Sequence, residues 1–222
     1  MANPTCAVII PIGPGHEACA EKAIASVRAA WEHPHAPFDR LEILTVNDRK
    51  GTLGRSAARN QGVREAQKQQ CDWLFFLDAD DTMLPCAFAV MSAYVADYDA
   101  VWGKIVETMH DVDAIFTRTP QREYITSLQE LLATPAQESL QMGHFVRTEA
   151  AAATPFNPRL NAGEDFDYYL RLWEKYRCIK QPEPLFVNVR GIPSTGPHAA
   201  SAHDWQRKTE ALLTRYREKY TP

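Results

Sequence analysis

The first 80 residues alternate between short apolar runs and helical patterns, and this alternation constrains the fold most. Cys6–Ile12, Leu41–Val46 and Trp73–Leu77 are apolar, and residues 17–31 and 55–70 between them are rich in helix formers. Continuous apolar runs of this length are typical of strands that are buried on both faces of a parallel sheet. The order strand, helix, strand, helix, strand therefore predicts a parallel sheet with right-handed crossovers.

The rest of the chain continues the same mixture of helices and strands. We expect helices over 85–98, 128–132, from 164 onward and 204–220, and strands over 100–106, 142–146 and 185–189. No internal repeat, low-complexity segment or linker interrupts this order. A chain of 222 residues buries about 70% of its unfolded surface. We therefore expect a single domain over residues 1–222.

Charge, cysteine content and the first residues exclude several classes of protein. The net charge is −4, which argues against a nucleic-acid binder with a dominant basic surface. The five cysteines are scattered with no Cys-x-x-Cys pair, which argues against a disulfide framework and indicates a reducing compartment. The chain shows no signal-peptide pattern and no apolar run long enough for a membrane span. We expect a soluble, cytoplasmic protein.

Asp78-Ala79-Asp80-Asp81 follows the third predicted strand and carries the strongest chemical signal. Carboxylates two residues apart in an extended segment point to the same side. At the carboxyl end of a parallel strand they face the crevice where such sheets bind ligands. Carboxylate oxygens suit Mn²⁺ or Mg²⁺, so this segment is a candidate metal site. A helix N-cap is the alternative, and we prefer it for Asp81 alone.

Gly163-Glu164-Asp165-Phe166-Asp167 opens a predicted helix with three acidic residues. Acidic residues in a first helical turn complement the helix dipole, which is one explanation of the pattern. The same field keeps a carboxylate ionised, as a general base must be. The residues alone leave both interpretations open.

Arg55 and Arg59 are four residues apart and share one face of the second predicted helix. They could bind a phosphate or the edge of a base, or form a solvated basic face. The segment lacks the Gly-Lys-Ser/Thr ending of a phosphate-binding P-loop, so we exclude that class of nucleotide hydrolase.

Taken in order, five segments resemble motifs of glycosyltransferase family 2, the inverting nucleotide-sugar transferases of the GT-A fold. They are Val8–Pro11, Ile43–Asp48, Ser56–Gly62, Phe75–Asp81 and Gly163–Leu172. Order and spacing agree over most of the chain. The resemblance implies an α/β, GT-A-like three-layer sandwich with a mostly parallel central sheet. It also implies a donor-binding half over about 1–100, an acceptor-side half over about 101–203 and a C-terminal helix over 204–220.

The resemblance further implies an inverting transfer of a sugar from a nucleoside-diphosphate sugar, UDP-linked, to the hydroxyl of a carbohydrate or lipid-linked acceptor. The residue roles carried over are as follows: Pro11 and Ile12 lie beside the nucleotide, Asp48 binds its base, Arg59 lies near it, Asp78 faces the ribose and the metal, Asp80 is the direct ligand of Mn²⁺ or Mg²⁺, Asp165 is the general base, and Glu164 orients the helix or the acceptor. The metal would neutralise the departing diphosphate.

Three positions depart from the family pattern. Ile12-Gly13-Pro14 replaces the usual Thr-Tyr-Asn and removes an aromatic residue that would stack on the base. Asn47-Asp48 keeps only the second acid of the usual Asp-Asp pair. Arg190-Gly191-Ile192 replaces the late Arg-x-His, so a third metal ligand would come from His198 or His203, or be absent.

Two other functions remain open. One is a catalytically silent nucleotide- or sugar-binding module of the same fold, which the missing aromatic favours and the retained Asp80 and Asp165 oppose. The other is a nucleotidyltransferase, which would need a lysine in its glycine-rich opening loop. Gly13-Pro14-Gly15 has no such lysine.

The C-terminal helix carries an apolar stripe that includes Trp205, Tyr216 and Tyr220, flanked by basic residues. Such a helix could contact the inner face of an anionic membrane that holds a lipid-linked acceptor. We prefer packing against the domain, because the basic residues alternate with acidic ones.

Overall fold

The computed structural model describes residues 3–33, 37–110, 112, 114–192 and 201–220. The strands are β1 (Thr5–Ile12), β2 (Arg40–Asn47), β3 (Trp73–Phe76), β4 (Thr82–Met83), β5 (Ala100–Trp102), β6 (Val106–Met109), β7 (Phe116–Thr117), β8 (His144–Arg147), β9 (Cys178–Lys180) and β10 (Phe186–Arg190). The helices are α1 (Glu17–Trp31), α2 (Arg55–Lys68), α3 (Ala87–Val90), α4 (Leu128–Ala133), α5 (Ala136–Ser139), α6 (Thr148–Ala153), α7 (Glu164–Trp173) and α8 (Ala202–Tyr220).

The main sheet has six strands in the order β2-β1-β3-β8-β5-β9. β1 pairs in parallel with both β2 and β3, and β5 pairs in parallel with β9. β8 runs antiparallel to its neighbours β3 and β5. The sequence-based prediction of a mostly parallel central sheet is confirmed.

Helices cover both faces of this sheet, and alternate residues of β1 face the two sides. Val8 and Ile10 pack with residues of α1 and α3, whereas Ala7 and Ile9 pack with residues of α2, α7 and α8. These four side chains are fully buried, as expected for a strand between two helical layers.

A second, smaller sheet has the order β4-β10-β6-β7. The single strand that we predicted over 100–106 is wrong, because β5 belongs to the main sheet and β6 to the small one. Gly103 lies at the crossing, where a Cβ atom would come within 2.6 Å of the Glu183 carbonyl oxygen. The close approach of these two backbone segments explains why residue 103 is a glycine.

The helix predicted over 85–98 is present but much shorter, because α3 covers only Ala87–Val90. After α3 the chain forms a 3₁₀ turn over Met91–Ala93 and then separate hydrogen-bonded turns to the start of β5. Asp99 accepts a hydrogen bond from the Arg177 backbone N–H at 2.9 Å and pairs with Arg147. These contacts hold the chain at the start of β5, and aspartate side chains favour turns over helix interiors.

The C-terminal helix α8 packs on the same face of the sheet as α7. Leu213 and Tyr216 are buried in the core, and Trp205 is partly buried against it. The packing that we preferred from the sequence is therefore observed for this stripe. Among the described helices, none is long and apolar enough to span a membrane.

Candidate functional site

A cleft of about 940 Å³, including the solvent at its mouth, opens at the carboxyl ends of three neighbouring parallel strands. Its walls are formed by the ends of β1 and β2, the start of α2, the segment after β3, and the start of α7. The topology thus places the expected ligand crevice at the predicted edge of the sheet.

Arg59 joins two walls of the cleft through ion pairs. Its Nη2 lies 2.6 Å from Asp78 Oδ1, and its Nη1 lies 3.5 Å from Glu164 Oε1. Arg55 reaches the same Glu164 oxygen at 3.6 Å. Burial by itself would lower the pKa of Arg59, but Asp78 and Glu164 raise it above its usual value. Arg59 is therefore a permanent cation that positions the acidic segment after β3 relative to α7.

This location decides between the interpretations of the two arginines. Arg59 is buried, so a solvated basic face is wrong for it, whereas Arg55 is partly exposed at the cleft. Both line the cleft as an anion-binding role requires. Arg55 is the more exposed cation of the two and is better placed to meet a phosphate.

Asp80 faces the cleft beside Asp78. Burial raises the pKa of Asp80, and the charge of Asp78 raises it further, whereas nearby His16 and Arg55 oppose the shift. Two carboxylates that repel each other at a cleft wall gain stability when a cation binds between them. The chemistry of this pair fits Mn²⁺ or Mg²⁺.

No third protein ligand completes this pair within the part of the chain that the structure describes, where no group of three His, Cys, Asp or Glu could hold a metal ion. His198 lies outside the described residues. His203 is exposed on α8 and does not line the cleft. Arg190 of the divergent late motif pairs with Glu107 in the small sheet at 3.2 Å.

Asp81 has a different role from the one that the sequence favoured. Its Oδ1 accepts hydrogen bonds from Asn188 Nδ2 and from the Val189 backbone N–H, both at 2.9 Å. The N-cap of α3 is Cys86, which makes no side-chain capping bond. The N-cap prediction for Asp81 is therefore wrong. Burial, followed by the charges of Asp78 and Asp80, raises the pKa of Asp81 well above its usual value.

Asp165 lies in the first turn of α7 and also faces the cleft. Gly163 precedes the helix in the left-handed region, with φ at 73°. The Phe166 backbone N–H donates to Asp165 Oδ1 at 2.8 Å, and Trp205 Nε1 donates to the same carboxylate. Burial, and then the charge of Glu164, raises the pKa of Asp165 to about 6. Asp165 is thus ionised at neutral pH yet basic enough to accept a proton.

Asp48 shapes the end of the cleft that lies at β2. Its carboxylate accepts hydrogen bonds from the backbone N–H groups of Leu53 at 2.9 Å and Gly54 at 2.8 Å, which closes the loop between β2 and α2. Pro11 lines the cleft as predicted. Ile12 does not line it, because its side chain is buried in the core on the α1 side of the sheet. The predicted place of Ile12 beside the nucleotide stays a prediction, and its side chain is not available for that contact.

Sequence reasoning missed three residues of this site. His16 lines the cleft, and its Nε2 is buried without a hydrogen-bond partner among the described residues. Met142, just before β8, lines the opposite wall. Trp205 contacts Asp165 from 40 positions away in the chain. Of these three residues, only His16 could have been found from the sequence, because it follows the Gly13–Gly15 loop directly.

The sheet order, the acidic strand end and the cleft together are those of the GT-A-like fold. Residues 44–151 match the profile of the family described as "Glycosyl transferase family 2", which confirms the family resemblance. The matched segment contains Asp48, Arg59, Asp78 and Asp80. No curated protein sequence matches the chain significantly.

Solved structures of S. aureus TarS share the fold. TarS 1–349 in complex with UDP-GlcNAc is 14% identical with a TM-score of 0.65, and the match covers 95% of this chain and 66% of that one. The complex of TarS 1–349 with UDP is 13% identical with a TM-score of 0.63, over 98% and 72% of the two chains. The TarS 1–349 structure without a named ligand matches over 83% of this chain and 60% of its own, with 14% identity and a TM-score of 0.61. The chain thus spans about two thirds of these structures, and the expected GT-A-like fold is confirmed.

Proposed function

We propose that this chain is an inverting glycosyltransferase that moves a sugar from a UDP-linked donor to an acceptor hydroxyl. The observation that carries the proposal is that one cleft holds two neighbouring carboxylates, Asp78, which pairs with Arg59, and Asp80, together with a separate carboxylate, Asp165, with a pKa of about 6. The family match and the likeness to TarS structures that contain UDP-GlcNAc or UDP support this assignment.

Asp165 is the general base of the proposed reaction. Its carboxylate removes the proton from the acceptor hydroxyl as the oxygen attacks the anomeric carbon. Attack from the face opposite the departing diphosphate inverts that carbon. The Phe166 N–H and the Trp205 indole hold the carboxylate at the cleft, so that the base is oriented before the acceptor binds.

The donor lies toward the ends of β1 and β2 in the proposed complex. Pro11 and Asp48 meet the nucleotide base, and Arg55 meets the diphosphate. Asp78 and Asp80 would hold Mn²⁺ or Mg²⁺, which supplies positive charge to the leaving diphosphate when bound. Arg59 and Glu164 position these groups through their buried ion pair. A cytoplasmic location and a carbohydrate or lipid-linked acceptor stay predictions from the sequence.

A silent binding module is the second candidate, and one observation favours it. Gly13 lines the cleft, and a Cβ atom at this position would meet nothing within 4 Å. The space that the family aromatic would fill is therefore open, which would weaken stacking on the base. A nucleotidyltransferase stays the least favoured function, because the opening loop has no lysine.

Calorimetry with UDP, with and without MnCl₂, tests the donor site. We expect manganese to strengthen UDP binding to the wild-type protein and to have no such effect on Asp80→Ala. Asp97→Ala, at an exposed position away from the cleft, is the matched control and should behave as wild type. Equal enhancement in Asp80→Ala would remove this residue from the site.

Mass spectrometry of UDP-GlcNAc and other UDP-sugars incubated with a panel of glycan and lipid-linked acceptors tests the transfer. We expect Asp165→Asn to bind UDP normally but to transfer at least about a hundredfold more slowly, the scale of losing a general base. Tight donor binding without any product from the wild-type protein would instead identify the silent module.

A further inference from the structure

The indole of Trp205 reaches from α8 to the candidate base. Its Nε1 lies 3.0 Å from Asp165 Oδ1 and 3.1 Å from Oδ2, so one N–H is shared between both carboxylate oxygens. The ring also packs at a right angle against Phe166, with the ring centroids 6.4 Å apart. The contact therefore combines a hydrogen bond to the carboxylate with apolar packing on the next residue of α7.

α8 contacts α7 at several points, and these contacts fix the position of Trp205. Thr209 is fully buried, and its Oγ1 lies 3.5 Å from the position of a Cβ atom on Gly163. At the other end of the helix, Lys219 and Tyr220 both bind the Glu174 carboxylate directly. The beginning of α8 thus meets the beginning of α7, and its end meets the residue that follows α7.

The hydrogen bonds divide the two oxygens of Asp165 into different roles. Oδ1 accepts from both the Phe166 N–H and the Trp205 indole, whereas Oδ2 accepts only the longer branch of the indole bond. Oδ2 is therefore the oxygen with more unused acceptor capacity. Oδ2 is therefore the oxygen that would take the proton from the hydroxyl of a sugar acceptor in the cleft.

We propose that Trp205 is a positioning residue for the base, and that its indole N–H holds Asp165 with Oδ2 turned toward the acceptor hydroxyl. This inference rests on the proposed function, in which Asp165 is the base. It gives α8 a part in the reaction that neither the acidic motif nor the donor cleft supplies.

The indole N–H also favours the ionised form of Asp165. Three side chains that face the Asp165 carboxylate affect its pKa. Burial raises this pKa most, the charge of Glu164 raises it further, and Trp205 and Arg59 lower it. Tyr169 is a further ionisable neighbour. Removing the indole N–H leaves burial and the charge of Glu164, which both raise the pKa of Asp165, so this pKa should rise. Trp205→Phe makes this change and keeps an aromatic ring against Phe166.

The first experiment needs no enzymatic activity. The protein has five tryptophans, so a ¹H–¹⁵N spectrum resolves five indole signals, and the one missing from Trp205→Phe belongs to Trp205. We expect this signal to shift with pH with a midpoint near 6, as Asp165 titrates, and to lose that transition in Asp165→Asn. A Trp205 signal without this transition, or one that keeps it in Asp165→Asn, would overturn the proposal.

The second experiment follows UDP release from a UDP-sugar and an acceptor across pH. We expect Trp205→Phe to be slower than wild type at every pH, because the base is no longer oriented, and to lose about five- to fiftyfold more at pH 6 than at pH 9, because the hydrogen bond that favours ionised Asp165 is gone. In an Asp165→Asn background the same change should have no further effect. Trp31→Phe, on the α1 side of the sheet, is the control for replacing a partly buried tryptophan.

The two failures are distinguishable. A Trp205→Phe variant with wild-type rates, or with the same loss at every pH, overturns only the role of Trp205, provided that Asp165→Asn is inactive. If Asp165→Asn transfers at the full rate, then the proposed base is wrong and the role of Trp205 falls with it.

Discussion

Replacement of Arg59 by methionine should be the most destabilising single change at the cleft. Methionine keeps an unbranched side chain of similar length but removes the charge that pairs with Asp78 and Glu164. Glu164 is only 3% exposed, and its Oε2 has no hydrogen-bond partner among the described residues. Arg55, at 3.6 Å and partly exposed, is then its remaining cation.

The expected loss follows from the burial of the two partners. Removing one partner of a buried ion pair costs about 3–5 kcal/mol, because the other charge is left uncompensated. For a chain of this size, each kcal/mol lowers the melting temperature by about 2–4 °C, so the melting temperature should fall by about 6–20 °C. The side chain of Asp78 is 36% exposed, so water can solvate it and most of the loss comes from Glu164.

Urea and thermal denaturation of three variants measure this effect. Arg59→Met combined with Glu164→Gln removes both charges and should recover at least half of the lost stability. Lys68→Met breaks the exposed pair with Glu65 and should change the free energy of unfolding by less than about 1 kcal/mol. The reasoning is refuted if Arg59→Met loses less than about 1 kcal/mol, or if the double variant is no more stable than the single one.

Four further predictions concern α2, the acidic strand end, and the pH dependence of transfer and of stability. Gly62→Ala places a Cβ atom 2.4 Å from Ile9 Cγ2, so overpacking should cost about 1–3 kcal/mol in urea denaturation despite the better helix propensity of alanine. Asp81→Ala leaves the Val189 N–H without its acceptor and should cost about 1–3 kcal/mol, measured against the exposed control Asp97→Ala. The transfer rate at low substrate should rise with pH with a midpoint near 6, as Asp165 ionises; a flat profile from pH 5 to 8 would contradict this. Because the pKa of Asp165 is raised to about 6, the wild-type protein should lose stability relative to Asp165→Asn as the pH rises from about 4 to about 6, and the difference should stay constant from there to pH 8.

The first half of the fold, over about residues 1–100, could be predicted from the sequence because its signals are local. Each of the runs that became β1, β2 and β3 is bounded by loop residues, and parallel strands bring their carboxyl ends to one edge of the sheet. This rule alone places Asp48, Asp78 and Asp80 at the same edge of the sheet. Only the family resemblance placed Asp165 at the same site, because its helix begins almost 85 residues after Asp80.

The rest of the site could not be predicted, because it depends on contacts between distant segments. Asp81 looks like a helix cap locally, but its partners Asn188 and Val189 are more than 100 residues away. Trp205 reads as part of an apolar stripe, and only its place opposite Asp165 shows that the indole N–H has a partner. A stripe pattern reports which face of a helix is buried and contains no information about which polar group that face meets.

The ligand set at Asp80 predicts the order in which metal and nucleotide bind. Mg²⁺ and Mn²⁺ prefer six oxygen ligands, and Mg²⁺ sites in particular are often built from one or two carboxylates together with substrate phosphates. The described residues supply Asp78 and Asp80, and Asp78 already pairs with Arg59. We therefore expect calorimetry with MnCl₂ alone to give no saturable binding below about 1 mM, whereas the UDP-saturated protein should bind manganese at least about tenfold more tightly. Asp80→Asn should abolish the second effect, and His203→Ala, at an exposed position outside the cleft, should leave it unchanged. Tight binding of one manganese ion per chain without nucleotide would refute the reasoning, because two carboxylates, one of them shared with Arg59, cannot hold the ion that strongly without a further protein ligand.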